Sequence, residues 1–258
     1  MPHARPSGLR LFLDRLLPRS VLNQEERDAI LGLRSQAILA TRNTDIVEYG
    51  ETVDHACLVA DGIVGSFGAG ADGRRQITSF FISGNMVDLH SVVAPKSGHS
   101  LQALAPSTIL RIRHADLRAL ATRYPAIAEA FWRDCVVDAA IFAQWVVNVG
   151  SRDAATRSAH LLCELGIRLE RVGIGTRTRF PLAMTQTHLG DALGLTPVHV
   201  NRTLRSLREQ ALLSLSGTEV IVDDWRRLAE AGDFDDRYLQ LNVEPVRYGC
   251  FGGGEAAR

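Results

Sequence analysis

The chain has 258 residues, and its 29 basic and 29 acidic side chains give a formal net charge of zero. This length is sufficient for two domains with separate cores. The lack of an overall positive charge argues against a protein that coats nucleic acid without sequence preference, because such binding depends on phosphate neutralisation. No apolar run approaches the roughly 20 residues of a membrane-spanning helix, and no signal peptide is visible at the N-terminus. We therefore expect a cytoplasmic protein that has no membrane partner.

Residues 9–40 are predicted to be helical. The first helix is indicated by an apolar stripe at helical spacing, which consists of Leu9, Phe12, Leu13, Leu16 and Leu17. Residues 20–25 are suited to cap a second helix, which we expect to continue to about Ile38.

Between residues 46 and 112 the pattern changes to short alternating runs separated by glycines. Strands are predicted at residues 55–60, 63–67, 75–82 and 107–112. Two turn sequences are typical of hairpins, Asp61-Gly62 and Ala71-Asp72-Gly73. Many short strands at this spacing predict an all-β barrel or roll of the jelly-roll type.

Residues 125–150 predict one long helix, with Pro125 in its first turn and Gly150 at its end. One apolar stripe steps by four and three residues, as in the seam of a two-stranded coiled coil, and consists of Phe131, Cys135, Ala139, Phe142, Val146 and Val149. The other side carries Trp132, Val136, Ile141 and Trp145. We expect one face to pack on the β-domain and the other to form a parallel homodimer. In the alternative, the first stripe packs on the helix's own domain.

Residues 151–153 have the character of a hinge, and residues 154–169 predict a further helix. Two short helices joined by a tight turn follow within residues 184–213. Thr185 is placed to cap the first of them, and Gly194 supplies the left-handed residue that ends it. Thr196 and Pro197 then begin the second helix with a hydroxyl cap and a proline at the first helical position.

The second helix has two distinct faces. Val200, Leu204 and Leu207 face a core, whereas the opposite side and its flank carry Val198, Asn201, Arg202, Arg205 and Glu209. This layout predicts a helix-turn-helix whose second helix enters the major groove of DNA. The arginines could equally form the solvated face of an ordinary helical protein. However, residues 214–222 predict a small hairpin around a Ser-Gly-Thr turn, which would form the wing of a winged helix.

The chain beyond residue 222 is a mildly acidic appendage, and its glycine-rich end at 252–254 is expected to be disordered.

The helix-turn-helix resembles the DNA-binding signature of the Crp/Fnr family of bacterial transcription regulators. The matching residues are Thr185-Gln186-x-x-Leu189-Gly190-x-x-Leu193-Gly194-Leu195-Thr196 and then Val200-Asn201-Arg202-x-Leu204. The resemblance implies an α+β homodimer that has an N-terminal β-roll sensor domain, a long dimerisation helix and a C-terminal winged helix-turn-helix. The corresponding boundaries are 1–124 for the sensor domain, 125–152 for the dimerisation helix and hinge, 153–225 for the DNA-binding domain and 226–258 for the appendage.

Nucleotide-binding members of this family hold the ribose and the cyclic phosphate with a Gly-Glu pair and a later Arg-Ser pair. The matching positions here carry Asp88 and Leu89, then His99 and Ser100, while Phe142 and Ala143 replace the hydroxyl residues that reach the base. A buried phosphate needs a charged partner, and histidine is a poor substitute for a bidentate guanidinium. We therefore expect a degenerate effector pocket that does not bind cyclic AMP, with candidate residues Asp88, Leu89, His90, His99, Ser100 and Phe142.

No metal and no cofactor are predicted. The histidines and Asp88 match no ligand template, and the cysteines Cys57, Cys135, Cys163 and Cys250 are far apart and include no CxxC pair. No cysteine precedes Cys57, which excludes the N-terminal iron–sulfur cluster of the family's oxygen sensors. Buried structural cysteines are the usual case, with an exposed redox thiol as the alternative. The β-domain also lacks the His-x-His pair and glutamate of a cupin-type enzyme, so no enzymatic activity is expected.

A dimer of this type presents two recognition helices one turn of DNA apart and reads an inverted repeat. The resemblance places Arg202 at the family's base-reading arginine, where it would bind a guanine edge. Val198 replaces a base-reading glutamate and can contact only a thymine methyl, so the half-site is expected to differ. Further base contacts are assigned to His199 and Asn201, and phosphate contacts to Thr185, Gln186, Thr196 and Arg205.

The expected partners are double-stranded DNA and a second copy of the chain, and the resemblance admits RNA polymerase and an unidentified small-molecule effector. The alternative function is a small-molecule or metal-binding β-roll sensor whose helix-turn-helix contacts only protein.

Overall fold

The computed structural model describes residues 7–70 and 75–248. The helices in these ranges are α1 (Gly8–Leu16), α2 (Gln24–Leu31), α3 (His114–Arg123), α4 (Pro125–Ser151), α5 (Ala154–Arg171), α6 (Gln186–Leu193), α7 (Pro197–Glu209) and α8 (Trp225–Ala231). The strands are β1 (Gln36–Ala40), β2 (Asp45–Val47), β3 (His55–Asp61), β4 (Ile63–Ala69), β5 (Arg75–Ile82), β6 (Ser100–Ala103), β7 (Ser107–Arg113), β8 (Arg179–Pro181), β9 (Leu213–Ser216) and β10 (Glu219–Val222). This mixture confirms the predicted α+β class.

The second N-terminal helix is shorter than predicted. Asn23 and Glu26 form a reciprocal capping box that begins α2, but the helix ends at Gly32 rather than near Ile38. Residues 36–40 instead pair with β7 in antiparallel register, with Ile38 opposite Ile109. Pairing with β7 satisfies the backbone groups of this segment, which overrides the helical pattern of the sequence.

The N-terminal β-domain consists of two antiparallel sheets, with strand orders β1-β7-β3 and β2-β6-β4-β5. The predicted strands are present. Gly62 has φ +97°, and a Cβ there would clash with Ser107 Oγ, so the turn requires glycine. The prediction of a hairpin at this turn is wrong, because β3 and β4 belong to different sheets. β4 and β5 do pair, although the predicted turn at 71–73 lies outside the described residues.

The long helix α4 confirms the prediction for residues 125–150. Val137, Ile141 and Trp145 on this helix are buried against the rest of the chain. The ring of Trp145 meets Phe80 of β5 edge-to-face at 5.0 Å between centroids. A continuous apolar core therefore extends from the β-domain through α4 and α5 into the wing.

The C-terminal part of the fold is a winged helix-turn-helix. Asp153 caps α5 by accepting a hydrogen bond from Thr156 N at 2.8 Å, and α6 and α7 follow as predicted. The predicted hairpin is formed by β9 and β10, and β8 adds a third strand on the other side of β10.

The C-terminal appendage folds back onto the N-terminal helices. Residues 240–248, which we call the strap, run from a 3₁₀ helix at Asp236–Leu239 to the segment between α1 and α2. Val21 N donates to Val246 O at 3.2 Å, and Val246 N donates to Arg19 O at 3.3 Å. The glycine-rich segment that was predicted to be disordered lies outside the described residues.

Within the described residues, no helix has the length and apolar character required to cross a membrane.

Candidate DNA-binding surface and effector region

The tight turn between α6 and α7 is built by local signals in the sequence. Thr185 Oγ1 accepts from His188 N at 3.2 Å, and Thr196 Oγ1 accepts from His199 N at 3.2 Å, so both hydroxyls cap helices. Gly194 adopts φ 63° and ψ 37°, the left-handed conformation that ends α6. These three predicted features are confirmed.

Two further residues of this motif have roles that the helical pattern did not reveal. A Cβ on Gly190 would lie 2.5 Å from Leu195 O, so only glycine allows the turn to pack against α6. His188 is buried, and its Nε2 lies 3.0 Å from Asn43 Oδ1 of the β-domain. Gly190 was visible in the motif, but a contact 145 residues away in sequence has no local signal.

The second helix of the motif, α7, buries one face and exposes the other. Val200, Leu204 and Leu207 are buried as predicted. The exposed side chains of α6 and α7 border one shallow depression, and its lining residues are Gln186, Pro197, Val198, Asn201, Arg202 and Arg205. Five of the eight predicted DNA-contact residues are therefore adjacent on one surface. His199 and Thr196 are exposed beside it, while Thr185 is half-buried.

The two arginines of this surface differ in their surroundings. Arg205 Nε donates to Glu209 Oε1 at 2.9 Å in an exposed i,i+4 ion pair. Arg202 is exposed and forms no ion pair with any residue in the described ranges. Val198 is 71% exposed, so an apolar side chain is presented to solvent at the start of the helix.

Asp88, the first of the effector-pocket candidates, lies inside the fold. The side chain is 3% exposed, and Oδ1 accepts from Cys57 N at 2.6 Å. Oδ2 has no hydrogen-bond partner among the described residues. Burial raises the pKa of this carboxyl to about 7. A partly ionised carboxylate therefore occupies the position to which the resemblance assigns the glycine of nucleotide-binding members.

The other candidate residues differ in their exposure. Leu89 is 6% exposed and belongs to an apolar core cluster, and its place in a ligand pocket stays a prediction. His90 is exposed and His99 half-buried, with their ring centroids 5.5 Å apart. Ser100 Oγ accepts from Tyr49 N at 3.1 Å, and Phe142 lies on α4 with 48% exposure.

The two histidines are poor replacements for the arginine that holds a cyclic phosphate. Partial burial of the two rings lowers both pKa values from 6.5, although His90 keeps an exposed edge, and the neighbouring His90 lowers the pKa of His99 further. Both rings are consequently neutral at pH 7. Among the described residues, no group of three or more His, Cys, Asp or Glu side chains has an arrangement that could hold a metal ion.

The cysteines in the described ranges are not activated. Cys57 and Cys163 are buried and Cys135 is half-buried. Burial raises the pKa of all three thiols, to about 12 for Cys135 and Cys163. Cys250 lies outside the described residues. None of the three has the depressed pKa that marks a reactive thiol.

The solvent face of α4 carries a band of large apolar side chains. Its members are Trp132, Val136, Phe142, Val146 and Val147, which are 48–61% exposed. Of the predicted seam, Ala139, Phe142 and Val146 are exposed, and Cys135 and Val149 are half-buried. Phe131 is only 7% exposed and packs on Phe12 at 5.9 Å between ring centroids. Its assignment to the seam is therefore wrong, because it belongs to the chain's own core.

Comparisons with known families match both halves of the fold. Residues 40–124 match the cyclic nucleotide-binding domain, and residues 156–231 match the Crp-like helix-turn-helix domain. These two domains in this order define a class of protein in which a β-roll is joined by a long helix to a DNA-binding winged helix. The chain belongs to the Crp/Fnr family of transcription regulators.

Individual relatives agree with this assignment. The nitrogen fixation regulation protein FixK of Azorhizobium caulinodans is 28% identical over 196 residues, which cover 76% of this chain and 78% of that protein. The transcriptional activator protein Anr of Pseudomonas protegens is 26% identical over 217 residues, or 84% and 88% of the two chains. The structure of FixK2 from Bradyrhizobium japonicum superposes with a TM-score of 0.71 at 24% identity, covering 77% of this chain and 98% of that one.

Proposed function

We propose that this chain is a homodimeric, sequence-specific DNA-binding regulator that reads an inverted-repeat operator through α7. The observation that carries the proposal is the surface around Arg202. Its guanidinium is exposed and unpaired by any described carboxylate, and it lies beside exposed Gln186, Val198 and Asn201. If the helix-turn-helix contacted only protein, an arginine without an ion-pair partner would have no evident role at this position. A regulator of this kind works where the DNA is, in the cytoplasm.

The residues of α6 and α7 divide into two roles. Arg202 binds a guanine edge through O6 and N7, with His199 and Asn201 as further base contacts. Val198 meets a thymine methyl group. Thr185, Gln186, Thr196 and Arg205 contact phosphates, which positions the protein without specifying sequence. When DNA binds, Arg205 must leave its ion pair with Glu209 and pair with a phosphate instead.

Dimerisation is assigned to the apolar band on α4. Phe142 and Val146 are separated by one helical turn and are both exposed in the isolated chain. Contiguous exposed apolar surface of this kind is typical of a protein interface. Pairing of two α4 helices in parallel would place two copies of α7 on the same side of the dimer. The proposed boundaries are residues 1–124, 125–152, 153–225 and 226–258.

The β-domain has a degenerate effector pocket that does not bind cyclic AMP. The support is the buried, unpaired Oδ2 of Asp88, together with neutral His99 in place of an arginine. An additional buried anion without a cationic partner is strongly unfavourable.

The DNA-reading proposal is tested by two matched substitutions at arginines of α7. Arg202→Ala is expected to cost about 1–3 kcal/mol on the preferred operator and to relax specificity at one base pair. Arg205→Ala is expected to weaken binding evenly on all sequences and to reduce the salt dependence, because it removes a phosphate contact. Fluorescence anisotropy on an operator and on its single-base variants measures both. An equal loss on every sequence for Arg202→Ala would overturn its base-reading role.

The effector proposal is tested by a titration of the purified protein with cyclic AMP and cyclic GMP. Neither nucleotide is expected to change the melting temperature or the affinity for operator DNA. A rise in both quantities would show that Asp88, Leu89 and His99 do not disable the pocket.

A further inference from the structure

A cavity of about 170 Å³ lies between the two halves of the chain, under the strap. Its walls come from α1, α4, α5, the loop after β5 and the segment around residues 239–241. None of the effector-pocket candidates of the β-domain lines this cavity. The cavity is therefore separate from the position where the family's nucleotide site lies.

The interior of the cavity is mainly apolar. Its aliphatic walls are formed by Leu11, Ile82, Val137, Ile141, Leu239 and Leu241. An apolar cavity of about 150 Å³ in a protein core can accept benzene. The volume here accommodates one six-membered ring or a branched chain of similar size.

Four arginines also line the cavity, and the guanidinium groups of three of them meet carboxylates. Arg15 Nε donates to Asp134 at 2.7 Å, and Arg19 shares the same carboxylate at 3.3 Å. Arg168 pairs with Glu164 at 2.7 Å. Arg15 also pairs with Asp138, so these two arginines face two carboxylates, and burial and the charge of Arg15 lower the pKa of Arg19 to about 10.

The fourth guanidinium, Arg171, is the cation best placed to receive a ligand. It is exposed, and its NH2 group donates to an amide, Asn242 Oδ1, at 3.3 Å. The neighbouring Glu170 is occupied by Arg177, whose Nε donates to Oε2 at 2.8 Å. Asp14 also borders the cavity and pairs with Arg10. The carboxylate of Asp14 in the cavity wall disfavours a second negative charge on the ligand.

We infer that this cavity binds a small monocarboxylate with an apolar body, whose carboxylate pairs with Arg171 while its ring or branched chain fills the aliphatic interior. Aromatic acids of the size of benzoate fit both the volume and the charge. The site is built from α1, α4 and α5 together, so an occupant contacts the sensor half and the helix that leads into the winged helix. Any effect of the ligand on operator affinity rests on the proposed function, whereas binding itself does not.

The test is calorimetric titration of the full chain with benzoate, in the absence of DNA. Benzoate is expected to bind at least tenfold more tightly than benzamide, which has the same shape and no charge. Phthalate, which adds a second carboxylate, is expected to bind more weakly than benzoate. Equal binding of benzoate and benzamide, or no detectable benzoate binding, would overturn the inference.

Two variants locate the site. Arg171→Gln is expected to weaken the binding of benzoate at least tenfold and to leave the binding of benzamide unchanged. Arg226→Gln is the control, at an exposed arginine paired with Glu230. Val172→Phe places a larger side chain at the cavity wall and is expected to weaken both ligands. Unfolding temperatures without ligand verify that each variant is folded. Retention of wild-type benzoate affinity in folded Arg171→Gln and Val172→Phe would place binding elsewhere and overturn the proposal.

Binding to the free protein also separates this inference from the DNA-reading proposal. If benzoate binds but no operator is recognised, the proposed function fails and the cavity assignment stands.

Discussion

Asp88 illustrates how one buried side chain decides what a site can accept. Its Oδ1 is held by Cys57 N, but its Oδ2 has no partner, so ionisation leaves an uncompensated charge in the core. The pKa near 7 is the direct result. The same desolvation cost is the basis of our proposal that the pocket does not accept a phosphate.

The raised pKa of Asp88 predicts a pH-dependent stability. Between pH 4 and 7 the folded chain keeps a proton that the unfolded chain releases, since the carboxyl pKa rises from 3.8 to about 7 on folding. The free energy of unfolding should therefore fall as pH rises through this window, by about 1.4 kcal/mol for each pKa unit at most. In Asp88→Asn, this contribution is absent. Urea unfolding of both proteins from pH 4 to 8 measures it.

The difference between the two unfolding curves isolates Asp88, because the histidines that also titrate in this range are common to both proteins. Parallel pH profiles for the wild type and Asp88→Asn would contradict a raised pKa. The absolute stability of the variant is not diagnostic, since its amide NH2 has no described partner at that position.

Residue-scale predictions from sequence succeeded where the cause was local. Thr196 and Gly194 were correctly assigned because a hydroxyl cap and a left-handed residue depend on their immediate neighbours. Phe131 was assigned wrongly because its burial depends on α1, whose Phe12 packs on it from about 120 residues away in the chain. The contact of His188 with Asn43 was not predicted for the same reason.

At the scale of elements, α4 has one apolar face that is buried and another that is exposed. Ile141 and Trp145 are buried on one side, and Phe142 and Val146 are exposed on the other. The sequence predicted a helix that is apolar all round. It did not resolve which stripe faces inward, because stripes offset by one residue overlap on a helix of 27 residues.

Substitution on the exposed band tests the dimer. Val146 is 61% exposed, so Val146→Glu should leave the chain folded while placing like charges across a parallel interface. We expect at least a tenfold rise in the dimer dissociation constant, measured by sedimentation equilibrium. Leu39→Glu, at a residue that is 85% exposed on β1, is the matched control. Equal association of both variants would exclude Val146 from the interface.

Short elements were the ones that the sequence did not predict well. β8 has only three residues. It forms because it pairs with the edge of β10, where Val220 lies opposite Phe180. β1 replaced the end of the predicted helix for a similar reason, since β7 pairs with it. Strand formation depends on distant partners more than helix formation does, so local patterns identify long helices best.

At the scale of the whole molecule, the strap ties the C-terminal appendage to the N-terminal helices. Arg247 forms two hydrogen bonds with Glu26, at 2.7 and 2.8 Å. Tyr248 N donates to Glu129 Oε2 on α4 at 3.1 Å. Arg152, between α4 and α5, pairs with Asp233 at 2.9 Å. These contacts connect the C-terminal segment to α2, to α4 and to the junction of α4 and α5.

The contact between Arg247 and Glu26 predicts that Arg247→Ala lowers the free energy of unfolding in a pH-dependent way. Arg247 holds the pKa of buried Glu26 below its usual 4.5. The stabilisation is therefore complete above that value and disappears as pH falls through the lowered pKa. We expect Arg247→Ala to cost about 1–2 kcal/mol at pH 7, since the arginine is partly exposed, and the two unfolding curves to approach each other as pH falls through the lowered pKa of Glu26.

Arg113→Ala, which removes an exposed ion pair with Asp116, is the control and should change stability by less than about 1 kcal/mol. A deficit in Arg247→Ala that persists unchanged at low pH would show that the contact with Glu26 is not its cause.

The pairing of Arg247 with Glu26 can form only late during synthesis of the chain. The two residues are 221 positions apart, so α2 leaves the ribosome long before its partner exists. Until then, among the described residues, only Asn23 N at the start of α2 donates a hydrogen bond to the Glu26 carboxylate. Because the strap is translated late, α2 depends on residues about 220 positions further along the chain. A message truncated shortly before codon 247 would therefore yield a protein whose defect appears around α2.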